Sequence, residues 1–332
     1  MTNLYPIKFN PIIKERVWGG DRLVKYFEKD YGAGKAVGES WELSSVKDDI
    51  SVAVNGFLKG NTLVEILETY MSEISGDKLY EKFGNEFPIL IKLLDINEKL
   101  SVQVHPDDKT AMERHNSYGK AECWYVMDAE KEATIYLGFS KDISREELLE
   151  RCKSETLHEV MNVIHPKKGD FLYLEPGTIH AASGGILIAE IQQTSDVTYR
   201  IYDWGRENNP ETKREMHLDL ALDIINYKQL QLSEKVYRKS VAESISDTIN
   251  LTDNSYFKVD EINITGRVVK HNLTMNGFVV YVALSGDTLI SYENGAEVIE
   301  AGETILIPAA LENYSMEKLN GECRLLEVTG KF

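Results

Sequence analysis

Cysteine is scarce in this chain: three in 332 residues, Cys123, Cys152 and Cys323, far apart and without a Cys-x-x-Cys spacing. That excludes a disulfide framework and a thiolate zinc site, and reduced thiols fit a cytoplasmic protein. Long apolar runs are missing as well. None approaches the ~18 residues of a membrane span, and the N-terminal MTNLYPIKFNPIIKERVWGG has no signal-peptide core. The expectation is a cytoplasmic protein with no membrane partner. Cations are the minority, with 37 Lys and Arg against 54 Asp and Glu and a formal net charge of -17. Nucleic acid and anionic membrane are thereby excluded as partners. An anionic substrate must be held by a few local cations against a repulsive overall field.

What is present is an ordinary globular composition, 42% hydrophobic and 27% charged, in a chain long enough for two domains. The stretch that organises it is Pro88 to Tyr125. Within it Ser101-Val102-Gln103-Val104-His105 alternates, which puts Gln103 and His105 on one face of a strand and Val102 and Val104 on the other. Two ligand-capable side chains then stand about 6.6 Å apart along the strand, near enough to share one ion. A second segment runs from Gly169-Asp170 through Pro176-Gly177 to His180. Proline and glycine there set a turn that delivers His180 at the start of the next strand. This segment resembles the second motif of the cupin superfamily. In cupins an upstream hairpin supplies further ligands, and Gln103, His105 and Glu122 would do so here. Alternation places Cys123 on the face opposite Glu122.

The rest of the chain reads as strands with helical insertions. Trp18-Gly19-Gly20 reads as a packed ring over a tight turn. Helices are expected at about 61–84, with Asn61 or Thr62 as cap, and at about 106–114, 142–164 and 211–230. Leu157, Val160, Met161 and Ile164 fit one helical face, as do Leu218, Ala221, Ile224 and Ile225. Pro88 to Leu94 is apolar except for Lys92, as in a strand buried on both faces. The fold class is mainly β: two jelly-roll β-barrels, the first with helical insertions in and around it. Domain boundaries are expected at 1–235 and 250–332, joined by a polar linker over 233–254. The second domain ends in a cupin-like Ala301-Gly302-Glu303-Thr304-Ile305-Leu306-Ile307-Pro308 but has no histidine where ligands should follow. It reads as a metal-less barrel.

Gln, His, Glu and His are an unusual set: only one donor is anionic, so a divalent ion would keep about one unit of positive charge, as suits a Lewis acid. From Trp18 to the C-terminus the chain resembles type I mannose-6-phosphate isomerase, the phosphomannose isomerases, in their shorter bacterial form. The family's Ser-x-Gln-x-His-Pro stands here as Ser101-Val102-Gln103-Val104-His105-Pro106, and its other two ligands match Glu122 and His180. The resemblance implies one zinc ion per chain on Gln103, His105, Glu122 and His180. It implies a sugar-phosphate substrate held partly by Lys92 and Ser101, with Arg16 as a further candidate, and a monomer or weak homodimer. Arg200, Glu190 and Lys120 match the family's catalytic positions: Arg200 would stabilise enediolate charge, and Glu190 or Lys120 would shuttle protons. Many members carry Asn-His-Lys-Pro-Glu before the third ligand, where this chain has Tyr118-Gly119-Lys120-Ala121-Glu122. A histidine in ring opening is therefore not available at that position.

The implied reaction is interconversion of mannose 6-phosphate and fructose 6-phosphate through an enediol. Three other readings compete. An iron-dependent cupin oxygenase is disfavoured by the neutral Gln103 and by the Lys92, Lys120 and Arg200 set. A cupin isomerase acting on a non-phosphorylated or different sugar, and a non-catalytic metal-binding sugar sensor, share the same ligands.

Overall fold

The structure, a computed structural model, describes residues 4–27, 36–238, 247–272 and 277–331. Strands dominate, and by compactness the chain forms two units: residues 1–12, 41–92 and 239–332 make one, 13–40 and 93–238 the other. The sequence reading kept 1–235 together. Residues 1–12 instead group with the C-terminal part because Ile7 and Lys8 pair with Leu306 and Ile305 as an edge strand. Of the expected linker, residues 239–246 lie outside the described residues. On either side of them the chain already forms strands, Val236–Tyr237 and Thr248–Asp253.

The unit that carries the expected ligands is built on two facing sheets. One has five strands in the order Met161–Ile164, Thr134–Phe139, His180–Ser183, Val102–Val104, Tyr199–Tyr202. The other runs Val236–Tyr237, Phe171–Leu174, Glu122–Ala129, Ile186–Gln193, then Ile89–Ile96, Val37–Leu43 and Ile12–Gly20. The chain passes between the two units within those last three strands. Ile135, Leu137 and Ala182 of the first sheet pack with Trp124, Val126, Leu172 and Ile188 of the second. Each fully buried aliphatic side chain there contributes about 1.5–3 kcal/mol. The outer face of the five-stranded sheet is covered differently. Val102, Val104, Ala181 and Tyr199 pack against Leu148, Leu157, Ala221 and Leu222 from the helical segments. Strand alternation thus sends Val102 and Val104 to the helices and leaves Gln103 for the space between the sheets.

In the other unit an eight-stranded sheet is built around two long strands, Val279–Tyr292 and Asn313–Gly330. Their register slips between Ala283 and Thr288, where Gly286 takes a φ of +65°; a Cβ there would lie 2.8 Å from Cys323 Sγ. The bulge bends the sheet so that Val279, Tyr281 and Ile305 at one end share a core with Ile290, Tyr314 and Met316 at the other.

Local signals held where caps and burial agree. Leu63–Tyr70 starts on a full capping box between Thr62 and Glu65, and Arg145–Lys153 starts on Ser144, whose Oγ accepts from Glu147 N. Ile89–Ile96 is buried throughout. Four expectations need correction. The helix expected over 61–84 is three short ones, broken at Met71 (φ 49°) and Gly76 (φ 89°). Leu157–Val160 is a single 3-10 turn, and Met161–Ile164 is a strand. His165-Pro166 ends any helix there, and the Asn162 amide donates to the carbonyls of Leu137, Phe139 and Leu230. The helix expected over 211–230 is only Leu218–Leu222, because the chain then turns so that Asn226 N–H meets the Gly177 carbonyl. Trp18 lies in the strand Ile12–Gly20 and in the core rather than over a turn. Gly19 is needed for close strand approach: a Cβ would sit 2.5 Å from Gly38 N.

Candidate metal centre

Register brings the ligand-capable residues together. His180 and Arg200 are both cross-strand partners of Gln103, one on each side. Directly paired residues point to the same face, so His180, Gln103 and Arg200 form a row across three strands. His105 follows two residues after Gln103 on the same face. Glu122 comes from the opposing sheet, where it is paired with Leu174 and Gln192. The Pro176-Gly177 turn ties the two histidine segments: Gly177, at φ +84°, donates its N–H to the His105 carbonyl at 2.9 Å.

His105, Glu122 and His180 offer ligand atoms that all lie within 4.8 Å of one another, and all three residues are buried. Backbone carbonyls set the tautomers. A carbonyl can only accept, so His105 Nδ1 donates to Val197 O at 3.1 Å and His180 Nδ1 to Thr178 O at 3.0 Å. Both Nε2 atoms are left as lone-pair donors facing inward. His180 Nε2 lies 3.2 Å from Glu122 Oε1, an oxygen buried without a hydrogen-bond partner. Two lone pairs that close repel unless a cation lies between them. Gln103 Nε2 is 3.2 Å from His180 Nε2, and exchange of the amide's ends would present its oxygen. His105 Nε2 is 3.5 Å from Glu122 Oε2. Four donors around one ion at ~2.0–2.1 Å have edges of about 3.3–3.4 Å, close to all three of these separations. The residues present therefore fit a divalent ion.

Electrostatics agree with that fit. Burial, with Lys120 beside it, draws the His105 imidazolium down to about 3, which keeps the ring neutral and able to ligate. Burial pushes the Glu122 carboxyl up, but the adjacent Lys120 ammonium, together with His105 and His180, more than offsets it and holds the group well below the carboxylate range. Lys120 donates to Glu122 Oε2 and to His105 Nε2, the latter at 3.0 Å. The Cys123 thiol is buried and pushed well above its ordinary value, and Cys152 up to about 12, both mainly by burial. Neither thiol joins the cluster.

Arg200 is half-buried. It donates from Nε to Ser101 Oγ at 3.3 Å and from Nη1 to Glu215 O at 2.6 Å. Burial, and next the charge of Arg214, draw its pKa down to about 10, so it remains a cation at neutral pH. Glu190 is buried and accepts from the Trp124 indole N–H at 2.9 Å; that indole stands edge-on to His180, with ring centres 5.4 Å apart. Lys92 belongs to the other unit, where its ammonium lies 4.9 Å from the centre of the Trp41 ring. Arg16 is paired with Glu39 at 2.8 Å. Sequence reading passed over Asp203, Arg206 and Arg214. Fully buried Asp203 accepts from both arginines, at 2.6 Å from Arg206 Nη2 and 3.0 Å from Arg214 Nε, and so fixes two more cations near Arg200. The available signal was one aspartate followed by arginines three and eleven residues on, in an otherwise acidic chain.

Comparison with known proteins shows what the chain is similar to. Residues 7–140 match the family described as phosphomannose isomerase type I, catalytic domain. The mannose-6-phosphate isomerase ManA of Bacillus subtilis is 31% identical over 94% of this chain and 96% of its own length. The mannose-6-phosphate isomerase of Streptococcus mutans is 31% identical over 94% and 95%. The crystal structure of the mannose 6-phosphate isomerase from Bacillus subtilis superposes with a TM-score of 0.81 at 29% identity, covering 98% of this chain and 99% of that one.

Proposed function

The chain belongs to the type I mannose-6-phosphate isomerase family, and from that premise we propose how its residues interconvert mannose 6-phosphate and fructose 6-phosphate. The observation that carries the reading is the buried convergence of His105, Glu122 and His180 from two facing sheets, with Gln103 beside His180. We assign one zinc ion to these four residues. When bound, the ion supplies Lewis-acid polarisation of substrate oxygens.

The chain's own groups do the rest. Isomerisation moves a proton from C2 of the open-chain aldose to C1 of the ketose, with negative charge building on the oxygens in between. Arg200, cationic and in the ligand row, stabilises that charge. Lys120, beside His105 and Glu122, and Glu190, held by Trp124, are the two candidates to carry the proton. Lys120 is placed first because its anchored backbone keeps it beside the ligand cluster. Ser101, which receives the Arg200 Nε–H, faces the sugar phosphate; the same role for Lys92 rests on the resemblance alone. The facing sheets of this unit and the bent sheet of the other are read as two cupin barrels, with chemistry in the first.

A coupled isomerase assay with mannose 6-phosphate and free mannose side by side, with and without a chelator, tests this. Turnover of the phosphorylated sugar only, abolished by the chelator and restored by zinc, is expected. Equal rates on both sugars would remove the phosphate assignment. A rate that survives thorough chelation would remove the metal.

A further inference from the structure

The position of Lys120 has a consequence for metal loading. Its ammonium donates to His105 Nε2 and to Glu122 Oε2, the two atoms that a divalent ion would need as ligands. An ion at ordinary bond length from both atoms would lie within about 3 Å of that ammonium. Two cations cannot share that space inside a site where Lys120 and His105 are nearly inaccessible and Glu122 fully so. The His105 lone pair presents a second conflict, because it serves either the lysine N–H or the metal.

We propose that Lys120 is a built-in counter-cation that competes with the metal for His105 and Glu122 and swings away when the metal binds. The lysine has two roles in this scheme. Without a metal it neutralises a carboxylate that would otherwise be buried unpaired, so the ligand cluster stays assembled between the sheets. With a metal it is expelled from the ligand atoms and its ammonium becomes available to the substrate side. Its charge therefore lowers metal affinity, and metal loading and exposure of the lysine are one event. Gly119, the residue before it, has its N–H held by Asp108 Oδ1 at 2.9 Å, and the Lys120 N–H is bonded to Pro106 O at 3.0 Å. The backbone is thus anchored and the change is confined to the side chain.

The inference rests on the metal reading, and the test separates the two. Zinc affinity is measured by competition with a chromophoric chelator for the wild type, Lys120→Met and Lys120→Arg. Lys120→Met should bind zinc at least about tenfold more tightly, and Lys120→Arg, which keeps the charge, should stay within about threefold of the wild type. After chelation, Lys120→Met should also melt at a lower temperature than the wild type, and zinc should raise its melting point by more. Equal zinc affinity in wild type and Lys120→Met would overturn the counter-cation and leave the metal site standing. No zinc binding by the wild type would overturn the metal site itself. Should Lys120→Met not fold, acetylation of the wild type followed by peptide mapping decides the matter: zinc should raise labelling of Lys120 at least threefold, and unchanged labelling would count against release.

Discussion

At the scale of single residues, Arg200 is a cation held at a cost to stability. Its folded-state pKa of about 10 is below the ordinary value of 12.5, so folding disfavours its charged form. That penalty is complete below pH ~10 and fades as pH rises from there towards 12.5. Because the side chain is only partly buried, solvent screening limits it to about 1 kcal/mol. Arg200→Met is expected to lower turnover by roughly 100-fold or more, while stability in a urea titration at pH 7 stays level or rises by about 1 kcal/mol. A marked loss of stability with normal turnover would make Arg200 a structural residue. Two candidate ligand types were readable at this scale: Gln103 and His105 on one strand face follow from alternation alone. Their protonation was not, since the His105 tautomer is set by Val197 O from a distant position in the chain, and the His180 tautomer by how the turn before it brings Thr178 O to the ring.

At the scale of elements, the Pro176-Gly177 turn joins fold to site. Gly177 needs its positive φ, and a Cβ would meet Ile224 O at 2.8 Å. Its N–H and carbonyl meanwhile hold His105 O and Asn226 N. Gly177→Ala should therefore cost about 1–3 kcal/mol and weaken zinc binding, read by thermal melts with and without the metal. An unchanged zinc affinity in the folded variant would show that the turn does not position the histidines. Turn chemistry of this kind is local, which is why the segment from Gly169 to His180 was legible. The segment Met161–Ile164 was not: its apolar spacing suits a helix, yet Pro166 and the carbonyl partners of Asn162 make it an edge strand. Leu218–Leu222 is a similar case, cut short by the partner waiting at Gly177 O. Periodicity reports which face is apolar; it does not report which neighbour takes the backbone hydrogen bonds.

At the scale of the molecule, one of the two units is itself laced together by sequence-distant strands. Ile7 is fully buried opposite Leu306, so Ile7→Ala should cost about 2–4 kcal/mol. Hydrogen exchange should quicken at Thr304–Ile307, with zinc affinity unchanged because the ligands belong to the other unit. Loss of zinc binding in the folded variant would contradict that division. The net charge of -17 is also a molecular property, against which Arg200, Arg206 and Arg214 stand as a local group of cations around Asp203. By itself the sequence determined the strand faces, the caps, the candidate ligand types on the Gln103 strand and the absence of histidine after Ala301–Pro308, because these depend on periods of two or 3.6 residues and on single turns. Only the tertiary structure decided how Glu122 closes on His180 across two sheets, where the Lys120 ammonium rests, which arginines Asp203 gathers, and that residues 1–12 join the C-terminal strands. Those outcomes depend on how side chains and strands meet in three dimensions, where the energy lies in pairing and desolvation rather than in any local backbone preference.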